Sequence, residues 1–321
     1  MDNDLHVFTS MAVWTGSVAI KLNFDLTILS MMERLPTETM VEVLEYSDKH
    51  TIHSFTIVSS KYSAITQPLL FRRISVDRMA YKRFTLFVEQ MQKSSKLALM
   101  IKVLIIHKAT FVVELPRLFA VVSNLEELLV EFTTANILLA PHYFPNLRRL
   151  RYPISNKKII NDLVANFIPR HEFLNNLEVP VVPEIVHDDP GILHMPLPAE
   201  SASRWVSYLV TYHGPRGLLP LLTQNSRMKH LTSSEQLDEV TLRELSRAVS
   251  GGLLSLIIED PMDQTVTQTL PVPLLPSLFP NLQSLAWLSV HIIHPEARVF
   301  ADQIADTVGT AHMSCFHRLI N

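Results

Sequence analysis

A short apolar pattern recurs along most of this chain: an apolar residue, two others, a second apolar residue, one other, and a third apolar residue. It stands at Met100-Val103-Ile105, Leu125-Leu128-Val130, Leu147-Leu150-Tyr152 and Leu174-Leu177-Val179. Weaker copies are Trp205-Tyr208-Val210 and Met228-Leu231-Ser233, and clear ones return at Leu253-Leu256-Ile258 and Leu282-Leu285-Trp287. Successive copies start 22 to 31 residues apart. Alternation over the last positions of each copy reads as a short strand with one buried face. A recurrence at this interval implies supersecondary units that bury their apolar stripes only against their neighbours. The phrases Phe144-Pro145-Asn146-Leu147 and Phe279-Pro280-Asn281-Leu282 repeat almost verbatim ahead of two copies, and Asn124-Leu125 echoes them.

Helical patterns fall between the strands. They are expected over residues 84–92, 115–122, 157–167, 216–222 and 240–249. Pro116 suits the start of the second, and Gly251-Gly252 can stop the last. Residues 180–204 are proline-rich and carry His187-Asp188-Asp189, so a loop is expected there. A helix over 295–308 would close the array as a terminal cap. The fold class this predicts is α/β.

Residues 34–76 read differently. Leu35-Pro36 opens a helix, where the missing proline N–H would have no partner anyway. Thr37 and Glu38 fall in its first turn, and Met40, Val43 and Leu44 share one face. Asp48-Lys49-His50 is a polar break. A second helix is expected over 51–58, burying Ile52 and Phe55, and a third carries Tyr62 and Ile65 until Pro68 stops it. Residues 69–76 read as extended. So few helical residues bury little surface alone, which is a physical reason to expect docking to a partner or a continuing domain.

This module resembles the F-box family. Its opening matches at Leu35, Pro36 and Glu38, its first helix at Val43, Leu44 and Tyr46, its second at Phe55, Val58 and Ser59, and its ending at Leu70, Phe71, Arg73 and Ile74. The fungal members in particular share such an ending. Thr39, Ser47 and Tyr62 depart from the family pattern. The resemblance implies docking to the Skp-type adaptor, and through it to the cullin scaffold, of a ubiquitin ligase. Carried over, the adaptor-binding positions are Leu35, Pro36, Val43, Leu44, Val58 and Tyr62. The rest of the chain resembles the irregular leucine-rich repeats found behind F-boxes, without their asparagine after the third apolar site. An N-terminal extension (1–33), a three-helix F-box (34–76) and a leucine-rich-repeat-like α/β solenoid with a helical cap (77–321) are therefore expected.

Composition narrows the chemistry. The chain has 321 residues, 47% of them hydrophobic, with a net charge of −3. There is no basic run, so nucleic acid is not an expected partner. Only seven glycines occur, and no cluster of them could cradle a phosphate. The single cysteine, Cys315, suits a reducing compartment, cytoplasmic or nuclear. Asp2 and Asp4 precede the short apolar segment 11–20, so neither a signal peptide nor a membrane span is expected.

No catalytic motif stands out. His171-Glu172 lacks the second histidine of a zinc-protease helix, and adjacent residues such as His187-Asp188-Asp189 rarely chelate together. No metal, cofactor or catalytic residue is expected, and the chain reads as a non-enzyme. Trp205, Tyr208, Tyr212 and His213 form an aromatic cluster of the kind more often buried than ligand-binding. Exposed positions between the apolar sites include Glu126, Glu127, Arg148, Arg149, Asn175, Asn176, Gln283 and Ser284. The expected function is a substrate-recognition adaptor, with repeats that bind an unknown target protein. The alternative is an interaction scaffold without ligase recruitment.

Overall fold

The computed structural model describes residues 34–76, 81–107, 113–131, 139–154, 157–180, 208–216, 218–219, 227–234, 237–249, 251–260 and 274–289. The expected extension, the 180–204 loop beyond Pro180, the closing helix, His187-Asp188-Asp189, Trp205 and Cys315 lie outside them. The chain divides into two compact bodies, Met1–Leu70 and Phe71–Asn321.

The first body holds helices α1 (Thr37–Glu45), α2 (Lys49–Thr56) and most of α3 (Ser60–Arg72). Pro36 is the N-cap of α1. Asp48 caps α2: its carboxylate accepts from the backbone N–H groups of His50 and Thr51, both at 2.9 Å. The Thr51 N–H, with the Thr51 hydroxyl, holds that carboxyl below its usual range. The polar break in the sequence is thus a helix start. Met40, Leu44, Phe55 and Tyr62 form the core, with Leu35, Val58, Ile65 and Leu69 packed on it. The buried Thr56 and Thr66 hydroxyls, 2.8 Å apart, tie α2 to α3.

Pro68 does not end α3, which continues to Arg72. Proline removes only one helical N–H, and its fixed φ is helix-compatible. Leu69 packs on the core just beyond it, so the helix is held on both sides of the lost bond. The extended segment is therefore shorter than expected, Arg73–Val76.

The second body is α/β. Its nine described strands are β1 (Arg73–Val76), β2 (Val103–Ile106), β3 (Glu127–Val130), β4 (Arg149–Arg151), β5 (Asn176–Glu178), β6 (Thr211–Gly214), β7 (His230–Ser233), β8 (Ser255–Asp260) and β9 (Ser284–Ser289). They form one sheet in which spatial order equals chain order. Every neighbouring pair is parallel. The register aligns Ile74, Leu104, Leu128, Leu150, Leu177, Tyr212, Leu231, Leu256 and Leu285 in one row. From Leu104 onward that row is buried.

This row corrects the sequence reading in two places. At β2 the phase is Ile101-Leu104-Ile106, one residue later than expected, because residues 100–106 are apolar at nearly every position and cannot set their own phase. At β6 it is Leu209-Tyr212-Gly214, four residues later than expected. There the third apolar site is a glycine, which hides the pattern. A Cβ on Gly214 would stand 2.5 Å from Val179 Cγ2 and 2.6 Å from the Tyr212 hydroxyl oxygen. The large Tyr212 ring takes the space that a third apolar side chain would fill. A further copy precedes the expected ones, Phe71-Ile74-Val76.

Helices lie in the crossovers: α4 (Tyr81–Lys93), α5 (Ser95–Met100), α6 (Leu115–Phe119), α7 (Lys157–Asn161), α8 (Glu239–Val249) and α9 (Leu275–Leu278). Helix α7 runs into a π-turn (Asp162–Phe167) and a 3-10 turn (Ile168–Arg170). Helix α4 buries Phe84, Phe87, Val88 and Met91 at helical spacing. Asp238 begins α8 by accepting from the Thr241 N–H at 2.8 Å. Burial would raise the Asp238 carboxyl, but the bonds from Thr241 and Arg216 outweigh that and hold it low. The two Phe-Pro-Asn-Leu phrases make the same turn, with Leu147 and Leu282 N–H groups donating back to Phe144 and Phe279 carbonyls. No helix among the described residues is long and apolar enough to cross a membrane.

Candidate functional site

The six expected adaptor-binding residues separate by burial. Leu44 and Tyr62 lie inside the helical core, 0% and 1% exposed, and present nothing to a partner. The reason is local: Leu44 follows Met40 by one helical turn, and the Tyr62 ring meets Phe55 at 5.6 Å. Leu35 and Val58 pack on the same core but keep part of their surface. Pro36 and Val43 are exposed. Two apolar residues outside that set are more open still: Tyr46, 88% exposed, and Ile57, 57%.

Along α1 and its two caps, Pro36, Thr39, Val43 and Tyr46 fall on one stripe at helical spacing, beside the face that buries Met40 and Leu44. Glu38, Glu42 and Glu45 form the next stripe round, all exposed. The Ser47 hydroxyl donates to the Val43 carbonyl, 3.0 Å away, and offers no apolar contact. An apolar stripe off the buried spacing was the available signal for Tyr46, since such a residue has no role in the core.

In the second body, the sheet face opposite the leucine row carries a chain of ions. Glu178 on β5 accepts from Arg149 at 2.7 Å and lies 3.7 Å from Arg151. Arg149 also lies 3.9 Å from Glu127. His213 on β6 contacts Glu259 at 3.1 Å. Glu127, Arg149, Asn176 and Ser284 belong to this face through the strand register. Glu126, Arg148, Asn175 and Gln283 stand one residue earlier, in a row of backbone hydrogen bonds that begins the strands. Lys102 bonds Glu126 at 2.6 Å, and that bond holds the Glu126 carboxyl low.

Near β1, the Ser75 hydroxyl contacts His107 Nε2 at 3.1 Å, and His107 Nδ1 contacts Glu131 at 2.5 Å. The order matches nucleophile, base and orienting carboxylate. Acyl transfer also needs a dry site with preorganised oxyanion donors. Here His107 and Glu131 are 32% and 38% exposed and the serine is on the surface, so water reaches the whole chain of contacts.

His171 is buried at the end of the 3-10 turn that closes the α7 crossover. Its Nε2 accepts from the Phe144 N–H at 3.1 Å, and its Nδ1 donates to the Phe167 carbonyl at 2.7 Å. The ring stacks on Phe167 with centroids 4.0 Å apart. Burial pushes its pKa down to about 4, so it is neutral and structural. Glu172 beside it is exposed. Of the expected aromatic cluster, Tyr212 is buried, Tyr208 is exposed, and His213 lies on the open sheet face. Among the described residues no group of three or more His, Cys, Asp or Glu side chains could hold a metal ion.

A short asparagine ladder exists before the first apolar site, although the site after the third apolar residue lacks one. Residues that precede the first apolar site bond to the neighbouring copy. Asn124 donates to the Leu99 carbonyl at 2.8 Å, Asn146 to Asn124 at 2.9 Å, and Asn281 to the Gly251 carbonyl at 2.8 Å. This explains why the Asn-Leu phrase recurs. No protein-family model matches the chain, and no curated protein matches it.

Proposed function

We propose that the chain is a substrate-recognition adaptor of an SCF-type cullin-RING ubiquitin ligase. The helical body docks a Skp-type adaptor as an F-box, and the second body is an irregular leucine-rich-repeat-like solenoid that binds the protein to be ubiquitinated. The observation that carries the second half is the sheet in which nine parallel strands follow one another in chain order. Stacked strand-and-crossover copies generate such a sheet, because each copy can bury its stripe only on the next. Apolar residues left open on the first body support the docking half. The adaptor does no bond chemistry; it raises the concentration of target near the transfer machinery. A reducing compartment, cytoplasmic or nuclear, fits this role.

A second reading has its own support. Leu44 and Tyr62, two of the six positions carried over from the family, are core residues, and the Ser47 hydroxyl is bonded to the Val43 carbonyl. On that reading the chain is an interaction scaffold without ligase recruitment. Co-purification of the full chain with a Skp-type adaptor separates the two. A Val43→Asp, Tyr46→Ala variant changes only exposed residues of α1 and its C-cap. Stoichiometric capture lost in that variant, with its circular dichroism unchanged, is the expected result. Absence of capture by folded wild-type chain would leave the scaffold reading.

A further inference from the structure

The asparagine ladder is interrupted in the middle of the sheet. Backbone hydrogen bonds link Arg148, Asn175, Val210 and Lys229 in one row across four neighbouring copies. The ladder residue stands two places before each of these. In order they are Asn146, Phe173, Tyr208 and Arg227. At the first the asparagine bonds its neighbour, as above. At the next two, aromatic rings take its place and remain in solvent, Phe173 63% and Tyr208 43% exposed. Neither ring can make the ladder bond, and neither is used by the core.

Cations accompany these rings. The Arg227 guanidinium lies over the Tyr208 ring at 5.9 Å. Tyr143, half-exposed on the neighbouring turn, carries Arg170 over its ring at 5.5 Å. Arg148 and Lys229 are exposed in the same row. Among the described residues, Glu172 in these turns and Glu126, beside Arg148 at the start of the preceding strand, are the carboxylates that accompany those four cations. An exposed aromatic strip of net positive charge fits a ligand with apolar or aromatic side chains and negative charge.

We infer that this edge of the sheet is a docking strip for an acidic peptide segment bearing aromatic or large apolar residues. Charge complementarity selects that occupant. Strands lie roughly 4.8 Å apart, so the row from Arg148 to Lys229 spans about 14 Å, the length of about four or five extended residues. The strip lies at the strand-leading edge, distinct from the ionic face of the sheet. It is also independent of adaptor docking: the peptide site can exist whether or not the helical body binds a Skp-type protein.

The test is fluorescence anisotropy of the full chain with a labelled Glu-Asp-Trp-Glu-Leu-Asp peptide flanked by Gly-Ser. Saturable binding that weakens with added salt is expected. Phe173→Asn with Tyr208→Asn, which restores the ladder residue, should weaken it at least tenfold while the thermal midpoint stays the same. Arg227→Glu with Lys229→Glu should do likewise, and serves alone if the aromatic pair does not fold. No binding, or binding that both variants leave unchanged, overturns the proposal. Equal binding of a Lys-for-acid version of the peptide would reduce the strip to a nonspecific apolar surface and also overturns it. So would self-association of the chain that the variants abolish, or displacement of the peptide by anionic vesicles or single-stranded DNA at equal charge.

Discussion

At the residue scale, two buried positions decide local stability and each has a measurable signature. His171 is neutral in the fold because burial disfavours its charged form, and its Nε2 is then free to accept from the Phe144 N–H. Above its ordinary pKa of 6.5 both folded and unfolded states hold a neutral ring. Below it the unfolded chain takes up a proton that the folded chain refuses until about pH 4. Stability therefore falls as pH drops through that window, by at most roughly 3 kcal/mol from this group. Urea midpoints measured from pH 7 to pH 4 should fall more steeply in wild type than in a His171→Leu variant. Gly214 is the second position. An added methyl would overlap Val179 and Tyr212, so Gly214→Ala should destabilise the chain by about 1–3 kcal/mol in urea unfolding. A variant as stable as wild type would mean that Tyr212 can swing away from its bond to the Pro215 carbonyl.

Also at this scale, Ser75, His107 and Glu131 have the contacts of a catalytic relay without its dry surroundings. A fluorophosphonate probe should leave Ser75 unlabelled at a concentration that labels a serine hydrolase in minutes. Labelling abolished by His107→Ala would sink the non-enzyme reading.

At the scale of elements, caps and turns explain where helices begin and end. Asp238 starts α8 with its side chain, and its replacement by alanine removes the Thr241 bond and the Arg216 contact. Asp238→Ala should cost about 1 kcal/mol, read as a lower thermal midpoint with secondary structure retained. Gly251, at φ +74°, takes the left-handed turn after α8 that the paired glycines foretold. Pro68 was a less faithful guide. A proline forbids one hydrogen bond, but whether a helix stops there depends on what the next turn packs against. Likewise Leu44 matches a docking motif by identity and Tyr62 stands at one of its positions, and their burial against Met40 and Phe55 could not be seen in a string of letters.

At the scale of the whole molecule, each described strand pairs in the sheet only with the strands before and after it in the chain. Damage should then remain local. Leu256 is fully buried on β8, so Leu256→Ala leaves a cavity worth about 2–5 kcal/mol. Hydrogen exchange should speed up in β7, β8 and β9 well before β2 and β3. Uniform loss of protection across the sheet would instead describe one cooperative block.

The recurring apolar pattern by itself indicated the α/β class and most of the strand positions. That is so because short alternating stripes of leucines at a steady interval, with helical patterns between them, read as strands joined by helical crossovers. The pattern could not set the phase at β2, where every residue is apolar, nor find β6, where a tyrosine and a glycine share the space of two ordinary side chains. Only the tertiary structure decided those, because complementary volume between neighbours is a property of pairs. Surface is decided the same way. Val43 and Leu44 are adjacent apolar letters, and one faces solvent while the other is sealed. Phe173 and Tyr208, distant in sequence, come to one edge only when parallel strands bring every copy into register.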